Sequence, residues 1–261
     1  MRPRAGGIDT LDTVEEYRRR FDALFARGSG AVLAGSHHRD SPPVDGGRWG
    51  MTVVFLPDDV VAGRLEAITR EAMAVTGPGH WPTGNRIAVH VTVRAVEAHR
   101  ACVPDVDPFA ARCAGALDRA AAAAEPVRLR LSGLTLTPAG ILVCGYPVGR
   151  AAADFAARLS GELGPDGWFE EHYHRDIWYA TLVHFAGAIA DRRALVRWVD
   201  QRRDVAAGEA VFGAAELVRF EHDGRQPVRV RLARAALRGS GARAVRDLGV
   251  PPGTSAHTGR T

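Results

Sequence analysis

The sequence predicts an α+β fold, and two features of its residue pattern support this prediction. The order strand, helix, strand occurs twice, over 51–94 and again over 141–185, with short runs rich in β-branched residues as the strands. Two further runs, 215–219 and 228–232, flank an Asp-Gly turn and predict an antiparallel hairpin. The chain has 261 residues, of which 46% are hydrophobic, and this is enough to bury a core of the expected size.

The first half of the chain begins with a capping box formed by Thr13 and Glu16. An amphipathic helix is predicted over 14–27, and Gly28 is predicted to end it. The elements expected after this helix are a loop over 28–50, a strand over 51–56, a helix from a cap at Asp58 or Asp59 to about 75, a strand over 86–94 and a helix over 107–124.

The second half is predicted to alternate strands and helices in a similar way. The expected elements are strands over 127–132, 134–137 and 141–146, a helix over 151–163, a loop over 164–176, a strand over 177–185, a helix over 190–203 and the hairpin. The polar and glycine-rich residues from about 239 onward predict a mostly disordered tail.

Composition excludes several classes of protein. No stretch approaches the ~20 apolar residues of a membrane helix, and the first residues lack the apolar segment of a secretory signal. A cytoplasmic location without membrane contact is therefore predicted.

The three cysteines include no close Cys-x-x-Cys pair, so the sequence predicts neither a disulfide framework nor a structural zinc site. No cofactor, no metal and no particular oligomeric state are predicted.

The predicted strand over 86–94, with the sequence RIAVHVTVR, carries the main candidate site. Side chains alternate between the two faces of a strand, so His90, Thr92 and Arg94 share one face. An imidazole can take a proton, a hydroxyl can donate to an anionic oxygen, and a guanidinium can neutralise charge. This set predicts phosphate handling, although a single histidine on a strand is more often a structural residue.

A second strand has a related pattern. His90-Val91-Thr92-Val93 is a His-x-Thr motif, and Tyr179-Ala180-Thr181-Leu182 keeps the threonine but has tyrosine in place of histidine. With this pair of motifs and the order of its elements, the chain resembles the 2H phosphoesterase family, the LigT-like and 2′-5′ RNA ligase-like proteins. The resemblance implies an α+β fold with two pseudo-symmetric lobes of antiparallel sheet, helices packed outside them and a central cleft.

The resemblance also implies a division of the chain and a reaction. The bilobal domain would span 49–237, preceded by an N-terminal helix and loop extension over 1–48 and followed by a disordered tail over 238–261. The family opens 2′,3′-cyclic phosphates or 2′-5′ linkages in RNA or nucleotides, with two histidines as general base and general acid and no required metal. An RNA end or a nucleotide-like phosphodiester is therefore the expected partner.

Roles follow for the four motif residues. His90 is expected to be the acid/base imidazole, with Thr92 and Thr181 as hydroxyl donors to phosphate oxygens. Tyr179 is either a proton donor or a residue that only fills space, because a phenol is protonated at neutral pH and is a poor base. His184, five residues after Tyr179, is expected on the opposite strand face, so it is not expected to replace the missing histidine.

Five further residues are candidates for substrate binding. Trp81 can stack on a base or cap the edge of the core, and the arginines Arg94 and Arg175 can neutralise phosphate. His172 and His174 precede the second motif strand, so either can supply the missing imidazole. Two other functions remain open. One is a non-catalytic protein that binds nucleotide or RNA phosphate on the same fold, and the other is a metal-dependent hydrolase that uses His172 and His174.

Overall fold

A computed structural model describes residues 13–172 and 175–238. The helices are α1 (Val14–Ala34), α2 (Asp59–Thr76), α3 (Pro108–Ala122), α4 (Ala151–Leu163) and α5 (Arg192–Asp200), and a short 3₁₀ helix spans Gly164–Glu170. The strands are β1 (Thr52–Phe55), β2 (Val91–Ala95), β3 (Val127–Thr137), β4 (Gly140–Pro147), β5 (Trp178–His184), β6 (Ala206–Phe212), β7 (Ala214–His222) and β8 (Pro227–Ala236). The tail predicted from about 239 lies outside the described residues.

The strands form one eight-stranded sheet in the order β6-β3-β4-β5-β2-β1-β7-β8. Every neighbouring pair is antiparallel. The sheet divides at the β5–β2 pair into two halves with matching order, so that β5 corresponds to β2 and β4 corresponds to β1. The predicted α+β fold and its two pseudo-symmetric lobes are confirmed, because the strand–helix–strand repeat in the sequence corresponds to this repeat in the sheet.

One face of the sheet packs against helices and forms the main core. Helix α2 contacts β5 and β6, α3 contacts β7 and β8, and α4 contacts both α3 and β3. Buried apolar side chains of both halves meet in this layer, with Phe55, Leu117 and Phe155 among the largest. The motif strands β2 and β5 lie in the middle of the sheet, where their backbones are paired on both edges. This position makes them rigid supports for any side chain on the opposite face.

The first helix continues beyond the glycine predicted to end it. The capping box of Thr13 and Glu16 is confirmed, but α1 runs through Gly28 and ends at Gly35, which has the left-handed conformation with φ of 74°. A Cβ atom at Gly28 would lie 2.5 Å from the backbone carbonyl carbon of Leu136. Gly28 therefore permits close contact between α1 and β3. The predicted end was wrong because glycine also serves close packing inside a helix.

Helix α1 packs on the other face of the sheet, over β3 and β4. Phe21 is buried against Cys144 and Tyr146, and the Thr135 hydroxyl donates a hydrogen bond to the Phe21 carbonyl at 3.0 Å. The helix therefore contributes to the folded core. A domain boundary near residue 48 stays a prediction.

The strand predicted over 86–94 begins only at Val91. The Asn85 carboxamide oxygen accepts hydrogen bonds from the backbone N–H groups of Ile87 and Ala88, both at 3.0 Å, and this stabilises a turn before the strand. Ile87 lies in this turn and is 65% exposed. The alternation that the sequence predicts is correct from Val91 onward, and Val91 and Val93 are buried.

Three further elements differ from the predictions. The predicted strands 127–132 and 134–137 are one strand, β3, with an irregular register between Leu131 and Leu134. The predicted loop 164–176 contains the 3₁₀ helix, and β6 forms an edge strand where no element was predicted. In the part of the chain that the structure describes, no helix has the length and apolarity needed to cross a membrane.

Candidate active site

The two motif strands join through a pair formed by Val91 and Ala180. Both side chains are buried in the helix-covered core. Because side chains alternate along a strand, the residues on either side of this pair point to the opposite face. These residues are His90, immediately before β2, Thr92 in β2, and Tyr179 and Thr181 in β5.

All four motif residues line one cavity of about 510 Å³ on this face. A cavity of this size falls within the range of about 300–1,000 Å³ typical of small-molecule sites. Two positively charged residues, Arg48 and Arg175, line the same cavity. The structure thus brings together an imidazole, a phenol, two hydroxyls and two guanidinium groups, which is a set suited to a bound phosphate.

His90 is held in a defined orientation. Its Nδ1 lies 2.8 Å from the carbonyl oxygen of Ala88, which can only accept a hydrogen bond, so Nδ1 carries the proton. In the neutral ring, Nε2 is then the nitrogen with the lone pair. Burial, together with the charges of Arg229 and Arg175, lowers the pKa of His90 to about 4 against the opposing effect of the Ala88 hydrogen bond. His90 is therefore a neutral base at physiological pH.

The second motif strand contains a β-bulge. Val183 pairs with Ile141, but the next pair along the two strands joins Leu142 to Thr181, so Leu182 is an extra residue in β5. Both Leu182 and Val183 are buried in the core. The alternation of side chains is therefore interrupted at this point.

The bulge places His184 on the cavity face, with Thr181. The prediction that His184 points away from Tyr179 was wrong, because it assumed regular alternation over five residues. Thr83 Oγ1 lies 2.8 Å from Nδ1 of His184, and the ring packs edge-on against Trp49 with a centroid separation of 4.7 Å. Burial lowers the pKa of His184 well below its ordinary value, and the charges of Arg48 and His90 lower it further.

The predicted substrate-binding residues have different positions. Arg175 lines the cavity and forms an ion pair with Glu170 at 2.7 Å. Arg94 does not line it, since its guanidinium donates to the Gly167 carbonyl oxygen at 2.8 Å and so holds the 3₁₀ helix. His172 is exposed and is not among the residues that line the cavity. His174 lies outside the described residues.

Trp81 is buried and is not among the residues that line the cavity. Its backbone exchanges two hydrogen bonds of 3.0 Å with His184, and its ring packs against Trp49 and His222. Of its two predicted roles, the structure therefore places it at the edge of the core, behind His184. The backbone hydrogen bonds of Trp81 hold the end of β5 at His184.

Sequence reasoning missed several residues of the cavity wall. Besides His184, they are Arg48, Trp49, Phe169 and Phe220. Arg48 stacks over the ring of Trp49 at 5.4 Å and forms an ion pair with Asp40 at 2.7 Å, and the ring of Phe220 lies 5.1 Å from that of His90. These residues come from a loop, from the 3₁₀ helix and from β7, and no local pattern in the sequence marks them as neighbours of the motifs.

Among residues 13–172 and 175–238, no group of three or more His, Cys, Asp or Glu side chains is placed to hold a metal ion. The adjacent histidines His37 and His38 contact different groups and do not form a shared site. His37 Nε2 lies 3.0 Å from the Gly187 carbonyl oxygen, whereas His38 Nε2 lies 3.1 Å from the Asp40 carboxylate. Each ring thus has its own protein partner.

Comparison with solved structures finds proteins that share this architecture. The protein TT0787 of Thermus thermophilus aligns with a TM-score of 0.53 and 18% identity, covering 73% of this chain and 99% of that chain. A structure described as a phosphoesterase aligns with a TM-score of 0.51 and 13% identity, covering 76% of this chain and 99% of that one. E. coli LigT complexed with ATP aligns with a TM-score of 0.48 and 14% identity, over 72% and 98%.

The first two likenesses show that this chain has the fold of those proteins, and the fold expected from the motif resemblance is confirmed. No protein-family model matches the chain, and no curated protein matches it. The assignment of an activity therefore depends on the chemistry of the cavity.

Proposed function

We propose that the protein is a metal-independent phosphodiesterase of the 2H type. Its substrates would be 2′,3′-cyclic phosphates or 2′-5′ phosphodiester bonds of RNA or nucleotides. The observation that carries this proposal is that both motifs line one cavity, with His90 and Thr92 on one side of the β2–β5 pair and Tyr179 and Thr181 on the other. A single phosphate can contact side chains of both motifs in such a cavity.

His90 provides the general base. The hydrogen bond from Nδ1 to the Ala88 carbonyl leaves Nε2 as the proton acceptor, and the low pKa keeps this nitrogen unprotonated at neutral pH. In the hydrolysis of a cyclic phosphate, Nε2 takes a proton from water as the water oxygen bonds to phosphorus. The bond from phosphorus to one ribose oxygen then breaks, and that oxygen needs a proton.

The rest of the cavity supports binding of an anion. The Thr92 and Thr181 hydroxyls can donate to non-bridging oxygens, whose charge develops in the transition state. Arg175 lines the same cavity, so its positive charge can attract a bound phosphate. Arg48 adds a second guanidinium to the wall of the cavity. Phe169 and Phe220 supply aromatic surface that suits a nucleobase.

The test is hydrolysis of 2′,3′-cyclic nucleotides and of short 2′-5′-linked oligonucleotides by the purified full-length chain in EDTA. The variant His90→Gln is expected to lower kcat by about 100-fold or more, the usual contribution of a general base. The matched control is His38→Gln, which changes an exposed histidine that does not line the cavity. Tight nucleotide binding without turnover by the wild-type protein would instead identify a binding protein.

A further inference from the structure

We propose that His184 is the second imidazole of this site and donates the proton to the leaving ribose oxygen. The inference rests on the proposed function, and it deepens it by naming the acid. In this arrangement the chain keeps two catalytic histidines although its second motif has tyrosine at the histidine position. The residue that supplies the second imidazole lies three positions after Thr181 on the same strand.

The β-bulge provides the geometric basis. Without the extra residue Leu182, a residue three positions after Thr181 would face the helix-covered core. The paired residues Ile141 and Leu142 on β4 are consecutive, whereas their partners Val183 and Thr181 on β5 are not. The insertion reverses the alternation, and it returns the side chain of His184 to the cavity face.

The ring of His184 is held firmly in this position. Two backbone hydrogen bonds of 3.0 Å connect His184 to Trp81, and they fix the end of the strand. Thr83 Oγ1 donates to the Thr181 carbonyl oxygen at 3.5 Å, so it can accept from the Nδ1–H of His184 at 2.8 Å. This arrangement leaves Nε2 of His184 as the nitrogen available to a ligand. Preorganisation of this kind is what a proton donor requires.

The charges around His184 explain when it can act as an acid. Arg48 and His90 face it and lower its pKa together with burial, so the ring is neutral in the empty cavity. The carboxylates that line the cavity, Glu97 and Glu170, are held in ion pairs with arginines. A bound phosphodiester adds a negative charge next to the ring, and this favours the protonated imidazole. Binding of the substrate therefore favours the protonated form of His184, which is the form that can act as the acid.

The proton balance of the step is complete with two imidazoles. His90 Nε2 accepts a proton from water while the water oxygen forms a bond to phosphorus. The bond between phosphorus and one ribose oxygen breaks, and the protonated Nε2 of His184 gives its proton to that oxygen. The net reaction consumes one water and yields a phosphomonoester and a hydroxyl. Exchange of protons with solvent then returns both histidines to their starting states.

Tyr179 has a smaller role under this proposal. It lies on the same face and lines the same cavity, so its hydroxyl can donate a hydrogen bond to the bound phosphate. It does not have to transfer a proton. The two candidates for the acid, Tyr179 and His184, are therefore distinguishable by the loss of one functional group at a time.

The kinetic experiment compares His184→Gln with Tyr179→Phe on a 2′,3′-cyclic nucleotide. The first variant is expected to lower kcat by about 100-fold or more with little change in KM, and the second is expected to have a much smaller effect on kcat. His80→Gln is the control for loss of a buried histidine, because His80 is equally buried and packs on Phe185 without lining the cavity. A large loss in Tyr179→Phe with near-normal turnover in His184→Gln would overturn the proposal.

A second measurement is independent of turnover. The pKa values of His90 and His184 can be followed by NMR of the imidazole rings in the wild-type protein, with and without inorganic phosphate. Phosphate is expected to raise both values. A rise for His90 alone would overturn the role of His184 and leave the proposed function standing. If phosphate shifts neither ring and no substrate is turned over, the proposed function and this inference both fail.

Discussion

Val91 and Ala180 are directly paired on adjacent antiparallel strands, and this one pair relates the two motifs of the chain. Continuing its register by one residue in each direction places His90 opposite Thr181 and Thr92 opposite Tyr179. Each motif therefore presents its threonine across the strand pair from the first residue of the other motif. The arrangement has a local two-fold symmetry, which the two halves of the sheet extend to the whole fold.

The two threonines are predicted to act equivalently. Replacing Thr92 or Thr181 by valine keeps the shape of the side chain and removes a hydroxyl donor, so each change is expected to lower kcat by about 100-fold. Steady-state kinetics on a 2′,3′-cyclic nucleotide provide the measurement. Serine at the same positions restores the hydroxyl and is the matched control. Normal turnover in both valine variants would show that the hydroxyls do not contact the reacting phosphate.

The pH dependence of the reaction is predicted from His90. A base must be unprotonated, so kcat/KM, which reports on the free protein, is expected to fall as the pH drops through about 4, the pKa of His90. A bound phosphate raises this pKa, so the corresponding fall in kcat is expected at higher pH. Rates measured across the acidic range test both statements.

Arg229 offers a control for this assignment. Its charge lowers the pKa of His90, as does that of Arg175, and its guanidinium donates a hydrogen bond to the Val89 carbonyl oxygen next to the histidine. Arg229→Met removes the charge and is expected to move the acidic fall in kcat/KM to higher pH. An unchanged profile would mean that another group is titrating.

Phe169 is predicted to contact the base of a nucleotide substrate. It is 39% exposed and lines the cavity, whereas its neighbour Trp168 is 58% exposed and does not line it. Stacking on an aromatic side chain contributes about 1–3 kcal/mol per base, so Phe169→Ala is expected to raise KM for a cyclic nucleotide by roughly 5- to 150-fold. Kinetics with glycerol 1,2-cyclic phosphate, which has no base, should show little change.

Trp168→Ala is the matched variant for this prediction. The two rings pack edge-on at 5.5 Å, but only Phe169 reaches the cavity. A near-normal KM is expected for the cyclic nucleotide. Equal losses in both variants, or a loss that extends to the substrate without a base, would point to a general effect on the 3₁₀ helix.

A stability prediction concerns Gly28 in α1. Alanine at this position would place its Cβ 2.5 Å from the Leu136 carbonyl carbon, and such overpacking costs about 1–3 kcal/mol of unfolding free energy. Gly30 lies in the same helix, and a Cβ there meets nothing within 4 Å. Gly30→Ala is expected to raise stability by up to about 1 kcal/mol. Urea denaturation of the two variants should move the midpoint in opposite directions.

Local patterns predicted much of this protein. The capping box at Thr13, the cap at Asp58 and the order of strands and helices depend on interactions between residues close in sequence, and they can be inferred from the sequence for that reason. The same holds for the shared face of His90 and Thr92, which strand alternation alone determines.

Other features were decided only by the tertiary structure. Whether Gly28 ends a helix or allows close packing depends on β3, more than a hundred residues away. The Arg94 side chain contacts the 3₁₀ helix because its guanidinium donates a hydrogen bond to the Gly167 carbonyl oxygen. No local pattern in the sequence indicates this contact. The face on which His184 lies depends on a bulge that only the pairing of β5 with β4 defines. The sequence by itself determined most of the strands and the first motif, whereas long-range packing decided which side chains complete the site.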